Sequence, residues 1–264
     1  MEVIIQKDAQ AATDLTARLI CDAVQSKKDS VLGLATGRTM ENLYSNIVKR
    51  YQAGEADFSR CATFNLDEYV GLAAEHTQSY RYYMNDLLFS KININLEETY
   101  LPNGVAPDLA EACQQYENKI LDKGGIDIQL LGIGNTGHIG FNEPLSSLAS
   151  RTREKALAPI TLEQNGPLFD DPAEMPRRAL TMGVGTILDA KKIILLATGK
   201  SKAKILAKAV EGPITSMISA SALQLHPHCV IICDEDAAEE LEGKEYYHRI
   251  FENEPEWQVY HSLS

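Results

Sequence analysis

The sequence predicts an α/β protein, a single domain whose mostly parallel sheet is flanked by helices on both faces. Three observations carry this. Short apolar runs alternate along the chain with stretches of helical periodicity. The runs are apolar at nearly every position, as expected of strands buried on both faces. Several end in glycines followed by polar or charged residues, and open α/β sheets bind ligands outside the carboxyl ends of their strands. The length of 264 residues, 44% hydrophobic and 23% charged, suits one sizeable globular unit. No repeat, low-complexity tract or linker marks a second domain.

Each element follows from its local pattern. A strand is expected at Val3 to Ile5, a helix near Asp8 to Ser26, a strand at Val31 to Ala35, a helix near Met40 to Ala53 and a strand near Cys61 to Asn65. Helices follow around Gln78 to Leu88 and at Asp108 to Lys123, then a strand at Ile126 to Ile133. The remaining strands fall at Ile193 to Ala197 and Cys229 to Cys233, separated by a helix at Lys200 to Val210. The segment 154–178, rich in Pro, Asn and Asp, is expected to be a mobile lid, and the charged tail beyond Asp234 to pack as peripheral helices.

Three strand ends carry candidate chemistry. Leu130 to Pro144 (LLGIGNTGHIGFNEP) leaves a strand through Gly132, Gly134 and Gly137 and then delivers His138 and Glu143. His138 titrates near neutrality when unperturbed, and Glu143 is close enough to orient it or share its proton. A strand-to-loop turn with a hydrogen-bonded histidine has the same spelling. Phe64 to Leu72 (FNLDEYVGL) sets Asp67 beside Glu68, and in extended backbone only one of the two can easily face a cleft. A solvated turn or a helix cap is the plainer reading of such a pair. Ser30 to Tyr44 puts Thr36, Gly37, Arg38 and Thr39 between a strand and a helix. Free backbone N–H groups there suit a phosphate, although the Gly-Lys-Ser/Thr of a P-loop is absent and a βα turn capped by Thr39 would read alike.

These segments resemble the glucosamine-6-phosphate deaminase (isomerase) family along nearly the whole chain. Beyond FNLDEYVGL and GHIGFNEP, the chain carries SSLASRTR, ALTMGVGTILDA, AVEG and LQLHP in the family's order and spacing. The resemblance implies a Rossmann-like α/β fold over residues 1–264 and a cofactor-free conversion of glucosamine 6-phosphate to fructose 6-phosphate and ammonia. It gives Asp67 the role of the base moving a proton between C2 and C1, and His138, supported by Glu143, the opening of the sugar ring. Lys202 is implied to join the glycine loop in holding the phosphate.

The chain departs from the family at three positions. Thr136 stands where relatives carry Asp or Asn; it can still hydrogen-bond the imidazole but brings no charge. Pro167 occupies the place of an expected arginine, while Arg38 occupies a place usually held by a small residue. A guanidinium moved from one wall to the other can still make a bidentate phosphate contact. Ser146, Arg153 and Lys155 match the residues with which regulated relatives bind N-acetylglucosamine 6-phosphate, and a hexamer is implied if that effector site operates. Galactosamine 6-phosphate, a phosphogluconolactone and a sugar-phosphate sensor without catalysis are the alternatives.

Composition excludes other classes. A net charge of −12 argues against nucleic-acid or membrane-surface partners and leaves capture of an anionic substrate to local cations. No signal peptide or long apolar stretch is expected, and the five cysteines read as reduced core thiols of a cytoplasmic protein. No metal cluster is apparent; Cys229 and Cys233, four apart in a strand, share a face without needing a metal. The remaining histidines, His76, His226, His228, His248 and His261, read as surface or structural.

Overall fold

Asp8 starts the first helix, its carboxylate accepting the Ala11 N–H at 2.8 Å, in a computed structural model that describes residues 1–263. The order is β1 (Glu2–Gln6), α1 (Ala9–Ser26), β2 (Val31–Leu34), α2 (Arg38–Gln52), β3 (Ala62–Asn65), β4 (Asp67–Tyr69) and α3 (Tyr80–Leu87). Next come β5 (Thr99–Tyr100), α4 (Leu109–Asp122), β6 (Ile128–Leu131), β7 (Arg153–Ala156), α5 (Pro159–Asn165) and β8 (Arg178–Thr181). The chain continues through α6 (Val184–Leu188), β9 (Lys192–Ala197), α7 (Ala203–Val210), β10 (Cys229–Asp234) and α8 (Lys244–Asn253) to a 3₁₀ segment, Pro255–Leu263.

Seven strands form a parallel sheet in the order β1-β10-β9-β6-β2-β3-β5. Chain direction across the sheet reverses between β6 and β2, which makes the crevice at their carboxyl ends the topological switch point. β10 is buried at every residue, and the apolar faces of α1 and α2 complete the core. The strands approach closely at this point: Gly33 pairs with Phe64 on one side and Gln129 on the other. A Cβ at Gly33 would lie 2.1 Å from Gln129 Oε1, so any side chain there would have to displace the buried Gln129 amide.

The strands and helices expected from the alternation are present within a few residues of their expected ends. Helix α2 starts earlier than expected, at Arg38, behind Gly37 with φ 116°, and no side chain caps it, so Thr39 is not its cap. Residues Lys200–Lys202 form a 3₁₀ turn before α7 rather than its first turn.

A second sheet was not expected. It is antiparallel, ordered β4-β8-β7, and pairs Asp67 with Thr181 and Thr181 with Arg153. Its strands are three or four residues long and mixed in polarity, as in DEY and REKA, so no apolar run marks them. The lid candidate 154–178 thus begins within β7 and ends at the first residue of β8, with α5 and two 3₁₀ turns between. That stretch packs its own small core, with Leu157, Phe169 and Met175 against Tyr69, Phe141 and Ala179.

Candidate active site

The ends of β9, β6, β2 and β3, four neighbours in the sheet, carry the loops of Lys202, His138, Arg38 and Asp67 respectively. The segment after β6 turns on glycines for steric reasons. Gly134 leaves room for the His138 imidazole, because a Cβ would come within 2.0 Å of Nε2. Gly140, with φ 55°, passes over Asp67: its Cβ would lie 2.9 Å from Thr181 Oγ1 and 3.4 Å from Asp67 Oδ2.

His138 Nδ1 lies 3.0 Å from Glu143 Oε2 and 2.8 Å from Thr136 Oγ1. A proton on Nδ1, given to Glu143, leaves Nε2 an acceptor, and Nε2 has no hydrogen-bond partner among the described residues. Glu143 is buried. Burial alone would raise its carboxyl, but the hydrogen bond and charge of His138, with donors from Thr161 and Ala158, outweigh that and hold it at about 2. Oε1 takes those last two bonds, from Thr161 Oγ1 at 2.5 Å and the Ala158 N–H at 3.3 Å.

Asp67 is the opposite case. Its carboxyl is almost wholly desolvated, meets no hydrogen-bond donor among the described residues, and is pushed up to about 8 by burial first and the Glu68 charge second. Glu68 points the other way, as strand alternation requires, and accepts the N–H groups of Tyr69, Tyr80 and Arg81 at 2.9, 3.0 and 3.0 Å, which ties β4 to the start of α3. Burial raises its carboxyl despite these bonds.

Gly37 and Arg38 follow β2, and Lys202 follows β9. Tyr83 donates its hydroxyl to the Gly37 carbonyl at 2.8 Å and fixes the turn. Thr36 and Thr39 are half-buried, while Arg38 is exposed and has no charged or hydrogen-bonded partner among the described residues. Lys202 donates to Asn135 Oδ1 at 2.8 Å, and burial lowers its pKa. Pro167 lies in a 3₁₀ turn of the lid candidate. Of the expected effector residues, Ser146 is buried with an unpartnered hydroxyl, and Arg153 and Lys155 share a face of β7. Arg153 Nη1 donates to Asn142 Oδ1 at 2.8 Å, inside the His138–Glu143 loop.

Thr181, Ser219, Thr161 and Asp234 support the site and escaped sequence reasoning. Thr181 Oγ1 accepts the Phe141 N–H at 3.0 Å and Ser219 Oγ bridges the Ile139 N–H and the Asn142 carbonyl at 3.2 and 2.8 Å, so both pin the loop. Asn142 braces it from within, donating to the Ile139 and Met182 carbonyls. Asp234 accepts the Gly199 N–H at 2.9 and 3.0 Å and so holds the turn before Lys202. An aspartate closing a strand was a readable signal for Asp234; Thr181, Ser219 and Thr161 had none. Among the described residues, one group of three carboxylates could meet a metal, Glu2, Glu254 and Glu256, and it starts at the opposite, amino end of β1. No helix of the described residues is long and apolar enough to cross a membrane.

A desolvated carboxyl beneath a glycine loop that carries an imidazole–carboxylate pair, at the switch point of the sheet, is an arrangement suited to acid–base chemistry in an α/β protein. Comparison with known proteins narrows this. A sequence model of the family described as glucosamine-6-phosphate isomerases/6-phosphogluconolactonase matches residues 6–231, and the chain belongs to that family. The glucosamine-6-phosphate deaminase of Shewanella loihica (strain ATCC BAA-1088 / PV-4) is 51% identical over 250 residues, covering 95% of this chain and 93% of its own. That of Cellvibrio japonicus (strain Ueda107) is 50% identical over 250 residues, with 95% of each chain covered. A solved monomeric glucosamine-6-phosphate deaminase superposes with a TM-score of 0.89 at 42% identity, covering 91% of this chain and 100% of that one. The 6-phosphogluconolactonase from Trypanosoma cruzi, with a TM-score of 0.73 at 20% identity over 91% of this chain and 97% of its own, shares the fold. The monomeric relative gives the expected hexamer no support.

Proposed function

We propose that the protein converts glucosamine 6-phosphate and water to fructose 6-phosphate and ammonia. The observation that carries this is Asp67, buried beneath the glycine loop with its pKa pushed up to about 8. Sugar binding ends with the phosphate against the Thr36–Thr39 turn, where α2 offers uncapped N–H groups and Arg38 and Lys202 add positive charge. His138 accepts the O1 proton at Nε2 and returns one to O5, which opens the ring. Glu143 and Thr136 hold the imidazole through Nδ1 and stabilise its charged form. Asp67 takes the proton from C2 while O1 gains the proton that the C2 ammonium gives up, which forms an enolamine; delivery of the C2 proton to C1 then leaves a C1 hydroxymethyl group and an iminium at C2. Water adds there and ammonia leaves. A carboxylate stripped of water is a stronger base than a solvated one, which suits abstraction next to an aldehyde.

The similarity to glucosamine-6-phosphate deaminases supports the same substrate. N-Acetylglucosamine 6-phosphate is proposed to act at Ser146, Arg153 and Lys155, a reading supported by the buried unpartnered Ser146 hydroxyl and the link from Arg153 to Asn142. The test is ammonia release by purified protein from glucosamine 6-phosphate, with galactosamine 6-phosphate in parallel and with and without the acetylated sugar. Turnover of the gluco sugar is expected. Turnover of the galacto sugar alone would move the substrate, and ammonia from neither would overturn the reading.

A further inference from the structure

Glu143 has two carboxylate oxygens and they serve different parts of the molecule. Oε2 meets His138 Nδ1 at 3.0 Å, whereas Oε1 accepts from Thr161 Oγ1 at 2.5 Å and from the Ala158 N–H at 3.3 Å. Ala158 precedes α5 and Thr161 lies in its first turn, so the carboxylate ties the imidazole to the start of that helix. Thr161 is buried at 2% exposure, and its hydroxyl makes no other hydrogen bond among the described residues. The far end of α5 is anchored elsewhere on the same site: Asn165 Nδ2 donates to the Tyr69 hydroxyl at 3.1 Å, and Tyr69 is two residues from Asp67. Phe141, from the histidine loop, packs in the same small core as Tyr69, Phe169 and Met175.

We propose that Thr161 is a positioning residue for the His138–Glu143 pair, so that seating of α5 and alignment of the imidazole are one event. The inference rests on the assignment of His138 and Glu143 to ring opening. A carboxylate fixed at Oε1 cannot swing about its bond, and Oε2 is thereby aimed at Nδ1. With Thr161 replaced by an isosteric Val, Glu143 keeps only the longer Ala158 contact on that oxygen. The carboxylate then turns freely, and His138 samples orientations that do not meet the sugar.

The experiment compares kcat and KM for ammonia release from glucosamine 6-phosphate in the wild type, Thr161→Val, Thr161→Ala and Thr161→Ser, with Glu143→Gln as reference. The expected result is a kcat lowered about tenfold in the Val and Ala variants, the scale of one hydrogen bond to a charged group, with KM within about twofold. The Ser variant, which keeps the donor, recovers most of the loss. A Val variant with wild-type kcat overturns the proposal, as does a loss shared equally by Ser, which would trace to packing. Glu143→Gln separates the two layers: if it is as active as wild type, the assignment of the pair falls; if it is impaired while Thr161→Val is not, only the inference falls.

Discussion

Asp67 and Glu143 show one side chain chemistry driven in opposite directions by its surroundings, and each direction has a consequence in pH. The folded-state pKa of Asp67 is raised from 3.8 to about 8, so ionising it costs folding free energy as pH climbs through that window. Below 3.8 the penalty is absent, and above about 8 it is complete. In the proposed mechanism the active form is nonetheless the carboxylate. Hence kcat/KM is expected to rise with pH through about 8. Asp67→Asn should lose activity on the order of 10²- to 10⁴-fold while melting at a higher temperature than wild type above about pH 8, which a paired activity and thermal-melt series checks. Glu143, lowered from 4.5 to about 2, is the reverse: its stabilising contribution is present above 4.5 and fades as pH falls through about 2. At the phosphate end, Lys202→Ala should raise KM by about tenfold or more with kcat little changed. Arg38→Ala should raise it less, because Arg38 is exposed; an unchanged KM would show that Arg38 takes no part.

The loop between β6 and β7 is where a turn, rather than a side chain, sets the site. Gly134→Ala is expected to leave melting within a few degrees of wild type, since the new Cβ would meet only the movable His138 ring, 2.0 Å away at Nε2. Displacing that ring should cut kcat by on the order of 10²-fold, and wild-type turnover in this variant would remove His138 from the mechanism. Elements of this loop were readable in sequence because they combine apolar runs, glycines and titratable side chains at strand ends. The parallel sheet was readable for the same reason, its strands being continuous hydrophobic runs. The antiparallel sheet β4-β8-β7 was not, because three- and four-residue strands such as DEY and REKA lack either periodicity. Nor were Thr181, Ser219 and Thr161, which touch the site only once segments 40, 80 or 18 residues away are folded onto it. Asp67 and Glu68 were read as divergent and the resemblance named Asp67; what the sequence lacked was the physical reason, the N–H groups of Tyr80 and Arg81 that hold Glu68 at α3.

Across the whole molecule, the candidate site and the join between the first strand and the last described segment are separated. The acid–base groups gather at the carboxyl ends of the parallel strands, while the first strand and the last segment meet at the other end, where Trp257 Nε1 donates to Glu2 at 3.1 Å. Glu2, Glu254 and Glu256 crowd together there, and the Glu2 carboxyl is raised by burial first and then by Glu256 and Glu254. A raised carboxyl favours the fold below its ordinary value of 4.5 and loses that advantage as pH rises, so the cluster weakens the join at neutral pH. Removing one charge should relieve it. Glu256→Gln is expected to raise Tm at pH 7.5 by about 1–2 °C, corresponding to roughly 0.5 kcal/mol for a partly exposed charge contact, and to have no effect near pH 4. Its kcat and KM should match wild type at both pH values, because the parallel sheet lies between this join and the crevice. A Tm gain of equal size at pH 4 would assign the effect to something other than charge, and a changed kcat would show that docking of the C-terminal segment reaches the active site through the sheet.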